Sequence, residues 1–303
     1  MNIIEVLKEL NADGMKMDSP ENFKNRNYKI VTDSCCEFPA GFDKDPRFEH
    51  IPMILYVGDE TIIDDETFDQ KSFLKKVADC PECPKSACPS PESYRESFKT
   101  DADRVYCITI SSKLSGSYNS ACLATNLYHE KYGEKKIHVF DSESTSVGET
   151  QIFSLIVKLE EKGYSFERIV EIVEAFRDQL HTLFVLDNLE TLRKNGRLSG
   201  IKAIIASTLN IKPLMAGDHG SIVQKAQAIG VKKAFGKLAE AVHNEVSDKE
   251  CKSLMISHCN APEKAEMVKD LILAKDSFYE VIILDTAGLN STYANDGGII
   301  VTV

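Results

Sequence analysis

The sequence predicts an α/β protein made of two α/β domains, the first of them organised around a mainly parallel sheet. Three observations lead there. Apolar, strand-like runs alternate with helical segments through the first half of the chain. At 303 residues the chain is long for a single hydrophobic core. The second half then begins its own series of strands and helices.

The elements follow in order. Residues 1–27 place Ile3, Ile4, Val6, Leu7 and Leu10 at near-helical spacing before a polar stretch, which reads as an N-terminal helical extension packed on the body. YKIVTD is a strand that opens into Asp33, Ser34 and Cys35, and IPMILYV is a second apolar run. Residues 66–79 are helical, and PESYRESF begins a helix capped by Ser90 with Pro91 at its first position. RVYCITI, SGSYNSACLATNLYHEKYG and KKIHVFD then give strand, helix and strand, the signature of a parallel, Rossmann-like sheet covered by helices over residues 28–164. Two helical segments occupy about 146–180, and the second domain is expected from 165 to 303. It holds the strand TLFVLD, helical NLETLRKNGRLSG and IKAIIASTLN, and two strands paired around Asp218-His219-Gly220. A helix, a strand, a helix and the strand YEVIILDTA complete it.

Composition removes several function classes. A net charge of −11 disfavours nucleic-acid binding and attraction to anionic lipid headgroups, so a lipid ligand would have to be enclosed. No run approaches 18 apolar residues, and Glu5, Lys8 and Glu9 break up the start, so neither a membrane span nor a secretory signal is expected and the cytoplasm is the expected compartment. There is no Gly-x-Ser-x-Gly elbow, phosphate-binding loop, Gly-x-Gly-x-x-Gly or His-x-x-x-His pattern, and no cofactor is read from the chain.

Three hydroxyl-rich loops carry the candidate chemistry: Thr32-Asp33-Ser34, Lys85 to Ser90, and Ser111 to Ser117. Ligands of open α/β sheets collect beyond the carboxyl ends of the strands, and serines leading into a helix offer hydroxyls, free amides and the positive helix end together. That combination suits a small anion such as a carboxylate or phosphate. An enzyme acting on such a group, with Ser112 or Cys88 as nucleophile, remains an alternative, although no base is apparent beside Ser112. Cys80, Cys83 and Cys88, with Cys35-Cys36, leave a second alternative, a thiol or zinc sensor.

At these loops the chain resembles the DegV family, members of which bind fatty acids. The resemblance runs from about residue 28 to the end through KIVTDSCCEFP, IPMILYVGDE, KSACPSPESY, ITISSKLSGSYNSA, VFDSESTSVGE, VLDNLETLRKNGRLSG and LNIKPLM. It implies a DegV-like two-domain fold that buries one long-chain fatty acid, has no catalysis of its own, and presents the carboxylate to a separate fatty acid kinase. It also implies a head-group site at Ser86 and Ser112, with Ser111 beside them, and at Asn295, which stands where the family carries a His. Asn can donate a hydrogen bond but cannot carry charge. Arg193 and Arg197 lie in the matching Arg-x-x-Gly-Arg-x-Ser motif, with ligand contact and domain packing both open.

Overall fold

The computed structural model describes residues 2–25, 27–198 and 210–303; the expected helix over IKAIIASTLN falls almost wholly outside them. The first part of the chain forms α1 (Ile3–Ala12), β1 (Tyr28–Asp33), β2 (Phe48–Ile51), β3 (Ile54–Val57), β4 (Glu60–Ile63), α2 (Gln70–Asp79) and β5 (Lys85–Ala87). Next come α3 (Pro91–Ser97), β6 (Arg104–Thr109), α4 (Ser117–Tyr132), β7 (Lys136–Asp141), α5 (Val147–Glu161) and α6 (Phe166–Arg177). The remainder is β8 (Thr182–Val185), α7 (Glu190–Lys194), β9 (Ile211–Asp218), β10 (Ser221–Ile229) and α8 (Val231–Glu245). It ends with β11 (Ser253–His258), α9 (Pro262–Leu273), β12 (Glu280–Asp285), α10 (Gly288–Ala294) and β13 (Ile299–Thr302).

The first sheet has the order β2-β1-β6-β7 and is parallel throughout. Ile30, Val31, Val105, Tyr106, Cys107 and Ile108 are buried on both of its faces, as a helix-covered parallel sheet requires. The second sheet has the order β10-β9-β8-β13-β11-β12 and is mixed, with β11 and β12 the parallel pair. A small antiparallel sheet, β4-β3-β5, stands beside the first.

Between the sheets lies α5, buried at every position from Val147 to Glu160. It packs on β6 from one side and on β11 and β13 from the other. A helix buried all round belongs inside a core, and its polar side chains need partners. Gln151 Nε2 accordingly donates to the Ser253 carbonyl at 2.8 Å, and Lys158 pairs with Glu280 at 3.3 Å.

Ile169, Ile172, Val173 and Phe176 of α6, which lie beyond the boundary expected at 165, share a core with Tyr106 and Phe140 of the first sheet, and the second sheet starts at Thr182 with β8. The helix expected over NLETLRKNGRLSG is short, Glu190–Lys194, and Gly196 beyond it has a positive φ of 76°. Among the described residues no helix is long and apolar enough to cross a membrane.

Candidate functional site

Asp33, at the end of β1, organises the loops that follow the first sheet. Its carboxylate is buried and accepts the Ile110 amide at 3.0 Å, the Cys35 amide at 3.2 Å and the Ser117 hydroxyl at 2.5 Å. This ties the loop after β6, and the start of α4, to β1. The Leu114 and Ser115 amides both donate to the Ser111 carbonyl, curling the loop so that Leu114, Ser115 and Gly116 face the space between the domains.

A second carboxylate, Asp64, positions the opposite wall. It accepts the amides of Gly288 and Leu289 at 2.6 and 2.8 Å and the Ser34 hydroxyl at 2.8 Å, so a side chain of the first domain caps α10 of the second. A Cβ at Gly288 would sit 2.5 Å from Asp64 Oδ1, which leaves glycine as the residue that permits the approach. Burial pushes the Asp64 carboxyl up to about 6 against the three donors that stabilise its charge. The helix so anchored presents Leu289, Asn290, Tyr293 and Ala294 to the space between the domains.

That space is a cavity of about 320 Å³, at the small end of the range of roughly 300–1,000 Å³ usual for ligand pockets. Its walls are mainly apolar: Met53, Ile110 and Leu114 from the first domain face Phe184, Leu186, Ile222 and Ile300 from the second. Polar groups gather in two places. In one, Ser86 on β5 and Tyr293 on α10 bring their hydroxyls to 3.2 Å, and the Arg197 guanidinium lies 5.8 Å from the Tyr293 ring centre. Arg197 also donates to the Leu114 carbonyl, which binds the segment after α7 to the Ser111–Ser117 loop. Elsewhere the lining carries Glu143, Ser144, Thr145, Thr182 and Ser221. There the Ser144 and Thr182 hydroxyls pair at 2.7 Å, and Glu143 faces the exposed His219 at 3.5 Å.

The residues expected at the site are distributed unequally. Ser86 lines the cavity. Ser111 is buried beside it, but its hydroxyl donates to the Gly220 carbonyl at 2.8 Å and joins the β9–β10 turn to the first domain. Ser112 is not among the lining residues; its amide donates to Asp141 at 3.0 Å, and Ser115 reaches the cavity in its place. Asn295 lies just past α10, outside the lining, with its side chain on the Tyr293 carbonyl and the Thr191 hydroxyl. Arg197 lines the cavity, whereas Arg193 is exposed and paired with Glu190 at 2.7 Å. Tyr293 went unread in the sequence because its place depends on the cap from Asp64, a residue of the other domain.

Cys80, Cys83 and Cys88 do not converge. Cys80 ends α2, Cys83 accepts from Asn195 Nδ2 at 3.5 Å, and Cys88 lines the cavity. Among the described residues no metal-spaced group includes any of the three. Burial holds the Cys35 and Cys36 thiols well above the usual range, which makes them poor nucleophiles.

The DegV family model, whose description reads "Uncharacterised protein, DegV family", matches residues 27–302. A DegV domain-containing protein of Streptococcus gordonii is 33% identical over 279 residues, covering 90% of this chain and 97% of the relative. A solved DegV family structure from Ruminococcus gnavus, refined with vaccenic acid, is 48% identical with a TM-score of 0.89, covering 91% of this chain and 99% of that one. The Streptococcus pneumoniae Fatty Acid Kinase (Fak) B3 protein, solved loaded with linoleic acid, is 30% identical with a TM-score of 0.81, again covering 91% and 99%.

Proposed function

Because this chain belongs to the DegV family, we propose that it holds one long-chain fatty acid between its two domains, with the carboxylate at Ser86, Tyr293 and Arg197. The observation that carries this reading is the pairing of an apolar cavity with a cation and two hydroxyls gathered in one place. Charge decides the orientation. An ionised carboxylate is attracted to Arg197 and repelled by Glu143, so the head group belongs with Arg197. Sixteen carbons of buried chain supply on the order of 10 kcal/mol of gross burial at about 0.8 kcal/mol per methylene. The polar groups therefore need only fix the end of the ligand. Ser111 and Asn295 support the reading indirectly, the first by holding the β9–β10 turn and the second by bracing the end of α10.

The chain itself performs no chemistry in this reading. It presents the carboxylate to a partner, and the name of the S. pneumoniae relative, a fatty acid kinase protein, supports a kinase in that role. The test is native mass spectrometry of freshly purified protein, followed by denaturing extraction and lipid identification. About one fatty acid per chain is expected. Arg197→Met is expected to weaken fatty-acid affinity at least roughly tenfold, the worth of a charge-assisted hydrogen bond, and Ser86→Ala by less. A folded wild-type chain that neither carries nor takes up fatty acid would overturn the reading.

A further inference from the structure

The second gathering of polar groups in the cavity, apart from Arg197, centres on the hydroxyls of Ser144 and Thr182, both buried and 2.7 Å apart. Two hydroxyls carry two protons, and their shared bond uses one. Among the described residues, the acceptor left for the other is the Thr145 carbonyl, 3.5 Å from Ser144 Oγ and at the outer limit of a hydrogen bond. When Ser144 donates to Thr182, the Thr182 proton has no acceptor at all among them. A third hydroxyl stands beside the pair. Thr302 is in register with Thr182 across β13 and β8, and so on the same sheet face; it is fully buried, with its Oγ1 unpartnered among the described residues.

Gly217 of β9 keeps the space over Thr182 open. A Cβ there would lie 3.4 Å from Thr182 Cβ and 3.8 Å from its Oγ1, ordinary contact distances, so the glycine leaves room for about one ligand atom beside that hydroxyl. A bare alkyl chain laid in this space would bury a donor with nothing to accept it, which is unfavourable. We propose that Ser144, Thr182 and Gly217 form a second polar subsite, and that the ligand it takes is a fatty acid carrying one neutral oxygen, a hydroxyl, along its chain. The proposal rests on the fatty-acid reading of the cavity and narrows it.

Charge selects a neutral group. Glu143 is the ionisable lining residue of this gathering, and its carboxylate faces Arg177 at 4.0 Å and His219 at 3.5 Å. A second carboxylate on the ligand would meet repulsion from Glu143 and no lining cation there. A hydroxyl accepts the spare proton and donates in turn to a lone pair of Ser144 or Thr182, whereas a keto oxygen only accepts. Thr182 is fixed in β8, and the proposed head-group residues Ser86 and Tyr293 are fixed in β5 and α10. The subsite therefore reads where along the chain the oxygen sits as well as whether one is present.

The full chain, delipidated, is titrated calorimetrically with stearate and with its monohydroxy isomers, the hydroxyl placed at successive positions from the carboxylate end to the methyl end. One isomer, or two neighbouring ones, should bind about two- to tenfold tighter than stearate, the worth of one neutral hydrogen bond. Thr182→Val keeps the side-chain shape and removes the hydroxyl, so that preference should disappear. Gly217→Ala fills the space over Thr182 Oγ1 and should remove it independently, with circular dichroism confirming that each variant is folded. Equal affinity for stearate and every isomer would overturn the proposal, water then meeting these hydroxyls. A preference that survives both substitutions would overturn it as well. A wild type that takes up neither stearate nor any isomer would mark a different failure, that of the fatty-acid reading itself, and the subsite would fall with it.

Discussion

Tyr293 joins the two halves of the proposed head-group site, with its hydroxyl 3.2 Å from Ser86 on the first domain and its ring beside Arg197. Tyr293→Phe keeps the ring and removes the hydroxyl, so fatty-acid affinity should fall about two- to tenfold, in line with one neutral hydrogen bond; titration calorimetry on delipidated protein measures it. His50 makes a different prediction. Its ring stacks on Phe38 at 3.8 Å with Nε2 buried and unpartnered, and burial lowers its pKa from 6.5 to about 4. The folded protein resists protonation there while the unfolded chain does not. Stability from this group is therefore full above about pH 6.5 and is lost as pH falls toward 4, by roughly 3 kcal/mol in all. Urea midpoints at pH 7 and pH 5 should converge in His50→Leu relative to wild type. At this scale the sequence was readable as to loop but not as to residue. The Ser111–Ser117 loop, read in the sequence as a candidate anion loop, reaches the cavity, yet the amides of Leu114 and Ser115 turning back onto the Ser111 carbonyl decide that Ser115 lines it. No local pattern encodes that turn.

Among the elements, α1 extends beyond the family match and grips both domains. Ile3, Val6 and Leu10 are buried in the core of the first domain. Asn11 Nδ2 donates to the Cys251 carbonyl at 2.9 Å and the Met17 amide to Glu280 at 2.6 Å, both on the second. Leu10→Ala should cost about 2–4 kcal/mol of stability, the usual loss for a buried leucine, measured by chemical denaturation. Deleting residues 2–22 should lower the thermal midpoint further and speed fatty-acid release, because the two domains lose a shared clamp. The apolar spacing of residues 3–10 made the helix readable, and its packing on the body follows from that stripe. The sheet β4-β3-β5 was not readable, since strands of three or four residues with half-exposed faces carry little alternation. The placement of α6 with the first sheet was equally hidden, because an amphipathic stripe states that a face is buried without stating against what.

For the whole molecule, the two-domain α/β plan was visible in the order of strands and helices, while the cavity was not, because its walls come from segments far apart in the chain. A ligand that touches both domains stabilises their closed arrangement. At a free fatty-acid concentration 100-fold above Kd the gain should be about 2.7 kcal/mol, so delipidated protein should melt lower and recover on reloading. A further consequence concerns synthesis. β13, the last strand in chain order, sits in the middle of the second sheet between β8 and β11 and supplies Ile300 to the cavity wall. Until Thr302 has left the ribosome, β8 and β11 have no common neighbour and that sheet exists as two unjoined pieces. A nascent chain without β13 therefore lacks part of the cavity wall, and the proposed loading of a lipid must wait for that strand.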